Sequence, residues 1–276
     1  MPGRATWLQA AAAGFEPEAN QVRLADGSAV SYQQLIVCPG LRLAWDKVEG
    51  LSETLGCNGV SSNYRFDLAP YTWELVRGLK GGKALFTQPA MPIKCAGAPQ
   101  KAMYLACDHW RRSGVLDRID VEFDLAGAVL FGVPTFVPPL MRYVESYGIS
   151  LAFNSALVAV DGPARKAWFD VKDAEGAVTR VEKSFDMLHA VPPQVPHDFL
   201  RQSALADGPA GARSIRPPCA TCAMTTSSGW AMASAPPMPR PRRRRASRSS
   251  RWPRTCWRCA KGMRCRSRTM ATARAR

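Results

Sequence analysis

The last quarter of the chain has nothing with which to build a core. From Gly208 to Arg276 there is one Ile and no Leu, Val, Phe or Tyr, and the segment carries 17 Lys and Arg with no Asp or Glu. Such a composition cannot bury enough apolar surface to offset the entropy of ordering a chain, so disorder is predicted there. Whatever folds must lie in residues 1–207, which carry 20 Lys and Arg against 22 Asp and Glu. The formal charge of +15 would suggest nucleic acid or an acidic membrane surface if it were spread over the chain. It belongs instead to one segment.

Residues 1–207 have the apolar pattern of an α/β protein. Gln21–Leu24 and Ala29–Val30 flank Asp26-Gly27, a favoured hairpin turn. Leu35-Ile36-Val37-Cys38 is a continuous apolar run ending at Pro39-Gly40, the pattern of a parallel strand buried on both faces. Lys83–Thr87 reads as a second such strand. A Pro-rich loop leads from it to a helix predicted over 99–112 and closed by Gly114. Ile119–Phe123 is predicted as a strand, 136–146 as a helix that Gly148 ends, and Ile149–Phe153 as the next strand. Leu157–Val160 and Ala167–Val171 suit antiparallel structure. Strand–helix–strand order means a sheet covered by helices.

Four cysteines, Cys38, Cys57, Cys95 and Cys107, precede the basic segment and five lie within it. The opening MPGRATWLQAAAAGF has no long apolar core of a leader, so free or redox thiols are expected rather than a secreted disulfide framework. No run of about eighteen apolar residues is present that would span a bilayer. His109, His189 and His197 form no metal-ligand pattern, and His189 is expected to satisfy a local hydrogen bond. Trp7, Trp45, Trp73, Trp110 and Trp168 are expected to pack in the core or on the surface.

Three stretches in order, SYQQLIVCPGLRLAWDKVEGL (31–51), PIKCAGAPQKAMYLA (92–106) and DMLHAVPPQVP (186–196), resemble the sulfide:quinone oxidoreductases of the flavoprotein disulfide reductase superfamily. The resemblance implies FAD/NAD(P)-binding Rossmann-like domains, incomplete here. Residues 1–50 would be part of an FAD-binding domain, 51–207 a second dinucleotide-type domain with the redox cysteine, and 208–276 a basic tail. It implies FAD as cofactor, sulfide and a membrane quinone as substrates, peripheral membrane association, and no nucleic acid. Cys95 would be one of the family's redox cysteines beside the flavin, carrying a persulfide. Ala12, Pro39, Gly40 and Lys94 would lie at the cofactor. Local chemistry agrees for Cys95, because thiolates are favoured by nearby cations and helix N-termini. Lys94 precedes it, and a helix with Pro99 in its first turn follows. Cys38 is expected to be a small core residue, Cys107 to pack within its helix, and Cys57 to sit in a loop. PIKCAGAP stands where a nicotinamide-dependent relative would carry G-x-G-x-x-G, which speaks against NAD at that turn.

The resemblance also implies that the chain opens after the family's first glycine-rich unit and lacks its membrane-docking end. In the tail, Cys219/Cys222 and Cys256/Cys259 match zinc ligands in type, but their gap exceeds the usual ribbon spacing. A change of reading frame near residue 210 accounts for more. Shifted by one base, the codons of Met224/Thr225, Trp230/Ala231, Met238/Pro239 and Met270/Ala271 must give Asp, Gly, Ala and Gly, all where the family pattern wants them. Two other readings stay open: a related flavoprotein of the NADH:quinone or flavocytochrome sulfide dehydrogenase type, and a nucleic-acid-binding protein acting through residues 208–276.

Overall fold

The computed structural model describes residues 5–91, 93–206 and, by their backbone, 220–223. They divide between two units: the chain up to Pro39 together with the segment from Asp198, and Gly40–His197.

The first unit begins with an antiparallel meander of β1 (Ala12–Glu16), β2 (Gln21–Leu24) and β3 (Ala29–Ser31). The predicted Asp26-Gly27 turn is present. Gly27 has φ +85°, and the Asp26 carboxylate accepts hydrogen bonds from the Ser28 N–H (2.9 Å) and hydroxyl (2.6 Å). Ala12, Val22 and Leu24 form a small core with Leu35 and Val37 of β4 (Gln34–Val37). The sequence predicts β4 to be buried on both faces, but its residues alternate, and Ile36 is 57% exposed. Only one face of β4 meets the core, so the apolar run overstates its burial. Cys38 is likewise exposed rather than a core residue, because β4 stops at Val37.

The second unit runs through β5 (Arg42–Leu43), α1 (Leu51–Thr54), β6 (Val60–Ser61), α2 (Ala69–Gly78), β7 (Gly82–Gln88), α3 (Ala98–Arg112), β8 (Ile119–Leu125), α4 (Val137–Tyr147) and β9 (Ser150–Phe153). An antiparallel meander follows, β10 (Ser155–Asp161), β11 (Lys166–Lys172) and β12 (Val178–Ser184), then β13 (Met187–His189) and β14 (Gln194–Val195). Five strands make one all-parallel sheet in the order β6-β13-β7-β8-β9, and β5 pairs antiparallel with β14.

Both faces of this sheet are covered. Ala84 and Phe86 of β7 and Met187 of β13 join Met103, Cys107 and Trp110 of α3 and Val144 of α4. Leu85 and Leu188 point the other way, to Phe169, Ala167 and Leu51. Side chains of neighbouring strand residues face opposite ways, so a strand covered on both sides needs an unbroken apolar run, and KALFT supplies it. Trp110 is fully buried and its indole N–H donates to the Val76 carbonyl at 2.8 Å, which ties α3 to α2. At the end of α4, Gly148 has φ +64°, and the N–H groups of Gly148 and Ile149 return to Glu145 and Val144. This left-handed ending is one glycine favours and closes the helix where the sequence predicts.

The chain then returns to the first unit through α5 (Asp198–Arg201), and β15 (Ala220–Ala223) lies parallel to β4. These four residues form a strand where disorder was predicted. The run pairs through its backbone, which asks less of composition than a core does. The rest of the tail, with the zinc reading of Cys256 and Cys259 and the Cys219 position, lies outside the described residues. The sequence expects a domain boundary at residue 50; the compact units meet at Pro39–Gly40, with Arg42 and Leu43 paired to β14 and Glu49 bridged to Ala159 of β10. Asp198–Ala206 groups with the first unit rather than the second.

Candidate functional site

β6, β13 and β7 are neighbours and parallel, so their carboxyl ends open on one edge of the sheet. In open α/β sheets this edge is where ligands bind. Three loops leave it: Ser62–Arg65 after β6, Ala190–Pro193 after β13, and the Pro-rich segment 89–97 after β7.

The last of these carries Lys94 and Cys95, both exposed, while Ile93 beside them is fully buried and anchors the loop. Cys95 has φ +57°, a left-handed conformation that a residue with a Cβ adopts at a cost of about 1 kcal/mol. Four polar contacts hold it there. The Tyr64 hydroxyl faces the carbonyls of Lys94 (3.0 Å) and Cys95 (3.1 Å). The Gln194 side-chain oxygen accepts the Lys94 N–H at 2.5 Å. The Ala98 N–H donates to the Cys95 carbonyl at 2.8 Å, joining the turn to the start of α3. Pro99 lies in the first turn of α3, as predicted. Burial, and then the neighbouring charge of Cys95, push the Tyr64 phenol far above its usual range, so it remains a hydrogen-bond donor.

Behind this turn, His189 at the end of β13 is fully buried. Its Nε2 accepts the Asn63 N–H at 3.0 Å, a hydrogen bond to a residue near in space and far in the chain, and its Nδ1 has no partner among the described residues. Burial pulls its pKa down to about 4, so the ring is neutral at physiological pH. The Thr87 hydroxyl accepts the Val191 N–H at 2.9 Å and faces the His189 carbonyl, which fixes the loop after β13.

The remaining predicted residues are elsewhere. Ala12 packs in β1, and with Pro39 it lines an apolar cleft of the first unit, among Leu8, Phe15, Leu35 and Phe199. All the side chains that line it are apolar, so it offers a pyrophosphate no charged partner. Gly40 is exposed with φ +79° at the start of the second unit. Cys107 is buried, and burial pushes its thiol up to about 12, leaving it unreactive. Cys57 is exposed in a loop, its thiol directed to the Thr54 carbonyl at 3.2 Å. Among the described residues no group of three or more His, Cys, Asp or Glu could hold a metal ion.

Tyr64, Asn63 and Gln194 are site residues that the sequence reading misses. Tyr64 and Gln194 lie far from Cys95 in the chain, and only the insertion of β13 between β6 and β7 brings them to it.

No family model matches the chain. Among curated proteins it is similar to the mitochondrial sulfide:quinone oxidoreductase of Dictyostelium discoideum, 38% identical over 212 residues, 76% of this chain and 46% of that protein. The Mus musculus enzyme of the same name is 33% identical over 207 residues, 75% of this chain and 46% of the relative. The chain therefore spans about half the length of the curated relatives it matches. Among solved structures, the sulfide:quinone oxidoreductase of Aquifex aeolicus superposes with a TM-score of 0.54 at 16% identity, over 73% of this chain and 46% of that one. A chain of the Tetrahymena thermophila mitochondrial ATP synthase gives 0.59 at 18% identity, over 73% and 50%. These two likenesses concern the fold.

Proposed function

We propose that this chain, which belongs to the sulfide:quinone oxidoreductase family over the 76% of its length that aligns, supplies the sulfur-carrying cysteine of such an enzyme. The observation that carries the reading is the 38% identity to a named sulfide:quinone oxidoreductase. The position of Cys95 supports it: an exposed thiol on a left-handed turn, at the carboxyl edge of a parallel sheet.

In the proposed reaction sulfide loses two electrons to a quinone and its sulfur is carried as a persulfide on Cys95. FAD is the cofactor this relation implies, and it would take the electrons from sulfur and hand them to the quinone. The cleft around Ala12 and Pro39 offers its pyrophosphate no charged partner, and the protein's own part is that Cys95 bonds the sulfur while the loops around it hold the thiol outward. Peripheral association with the membrane that holds the quinone belongs to the same proposal. Among the described residues no helix is long and apolar enough to cross a membrane.

The thiol's role is tested without the cofactor. A thiolate attacks inorganic polysulfide, forms a Cys–S–S⁻ persulfide and releases a polysulfide shorter by one sulfur. The full chain is treated with polysulfide and mapped by peptide mass. The reading expects the peptide of Cys95 to gain one sulfur ahead of Cys38 and Cys57, which are also exposed. Equal labelling of all three would overturn it.

A further inference from the structure

We propose that Tyr64 and Gln194 are positioning residues for Cys95, together clamping the backbone of Lys94 and Cys95 so that the thiol projects from a left-handed turn. This rests on the reading of Cys95 as the sulfur-carrying thiol.

Successive carbonyls in extended chain point opposite ways. They face a common donor only when the residue between them is helical in conformation. The Tyr64 hydroxyl has the carbonyls of Lys94 and Cys95 at 3.0 and 3.1 Å, so it fits the turned peptide and would lose one partner if Cys95 relaxed to an extended form. With φ at +57°, the turn has the left hand, which a cysteine does not choose unaided. Gln194 acts one residue earlier: its side-chain oxygen accepts the Lys94 N–H at 2.5 Å, and the residue is 6% exposed. The two anchors come from different strands, Tyr64 from the loop after β6 and Gln194 from β14, while Cys95 follows β7.

The hand of the turn sets where the Cα–Cβ bond points. A right-handed or extended Cys95 would aim its sulfur in another direction relative to the sheet edge. Strain of this kind persists only where the surroundings over-determine it, and it concentrates at functional sites. Here the over-determining groups are a phenol on the carbonyls of Lys94 and Cys95 and an amide on the Lys94 N–H, and both leave the sulfur free for chemistry. Their effect on reactivity is therefore through geometry, which separates them from a general acid or base.

The test measures rates of alkylation by iodoacetamide, cysteine by cysteine, in the full chain and in its Tyr64→Phe and Gln194→Ala variants. Exposed Cys38 and Cys57 are internal references, and buried Cys107 reports unfolding. The expected result is that Cys95 reacts faster than both references in the unsubstituted chain. In each variant its rate falls roughly fivefold, the population change that one net hydrogen bond produces, while Cys38 and Cys57 keep theirs and Cys107 stays protected. If Cys95 is fast in the unsubstituted chain and equally fast in both variants, the clamp is refuted and the functional reading survives. If Cys95 reacts no faster than Cys38 and Cys57 to begin with, the functional reading falls and takes the clamp with it. Should Tyr64→Phe expose Cys107, Gln194→Ala alone decides.

Discussion

The ammonium of Lys183 on β12 meets the carboxylate of Asp124 on β8 at 2.5 Å, with the Asp124 side chain wholly buried. Ser155 donates to the same carboxylate oxygen at 2.6 Å, and the second oxygen has no partner among the described residues. Lys183 also reaches Glu122 at 2.7 Å and lies over the Phe169 ring. The pair thereby links the parallel sheet to the antiparallel meander.

Removing one partner of such a pair is expected to cost more than removing both. Lys183→Met leaves Asp124 buried without its cation and should destabilise the protein by about 3–5 kcal/mol. The double variant Lys183→Met/Asp124→Leu should recover much of that loss. Urea denaturation of the three proteins measures it, and a double variant no more stable than the single one would refute the account.

His189 gives the protein a pH dependence of predictable sign. Its pKa is lowered in the folded state to about 4, from an ordinary value of 6.5. The folded protein therefore binds fewer protons than the unfolded chain across that interval. Stability from this group is full above about pH 6.5 and is lost as the pH falls, by about 3 kcal/mol at pH 4. His189→Asn should flatten the curve of unfolding free energy between pH 7 and pH 4. A curve of unchanged slope would show that other groups dominate.

The left-handed turn at Cys95 predicts an order of stability among substitutions. Cys95→Gly removes the Cβ where φ is +57° and should be more stable than Cys95→Ala by about 1 kcal/mol. Elsewhere in a chain glycine is the less stable of the two, so thermal unfolding of the pair reads the backbone directly.

Trp110→Ala should be among the most damaging core changes, about 3–5 kcal/mol. It empties a fully buried site and strips the Val76 carbonyl of its donor. Reduced thermal stability together with faster alkylation of Cys107, its neighbour in the same core, is the expected outcome.

The tail makes a prediction about DNA. Sequencing the encoding DNA should find a single-base insertion or deletion near codons 205–215. The chain aligns with its Dictyostelium relative over 212 residues, about as many as precede the basic segment. An intact frame would return the Arg-rich segment to consideration as a real part of the protein.

Elements marked by punctuation were legible in the sequence. α3 and α4 end at Gly114 and Gly148, β7 shows as an apolar run because it is covered on both sides, and β8 shows as an alternation of apolar with acidic residues. α2 is not legible, since Ala69–Gly78 mixes Pro70 and Thr72 with its apolar residues and fully buries only Val76. Ile36 misleads for the opposite reason: an apolar side chain need not be covered. At the candidate site, Cys95 shows itself through its motif. Tyr64 is an ordinary loop residue and Gln194 opens a two-residue strand, and what makes them neighbours of Cys95 is strand order, which no local pattern encodes. The buried Asp124–Lys183 pair is hidden similarly, because charged residues in strands normally read as solvent-facing.

The strand order β6-β13-β7 also sets a timetable. β6 has β13 as its sheet neighbour, and β13 begins at Met187, more than a hundred residues after β6 is complete. During synthesis β7, α3, β8, α4 and β9 can pair in succession while β6 and the Tyr64 loop wait for a strand not yet made. Gln194 emerges later still. The thiol turn is thus among the last parts of its unit to be locked, and a ribosome that stops short of about residue 195 releases a sheet with its reactive edge unfinished.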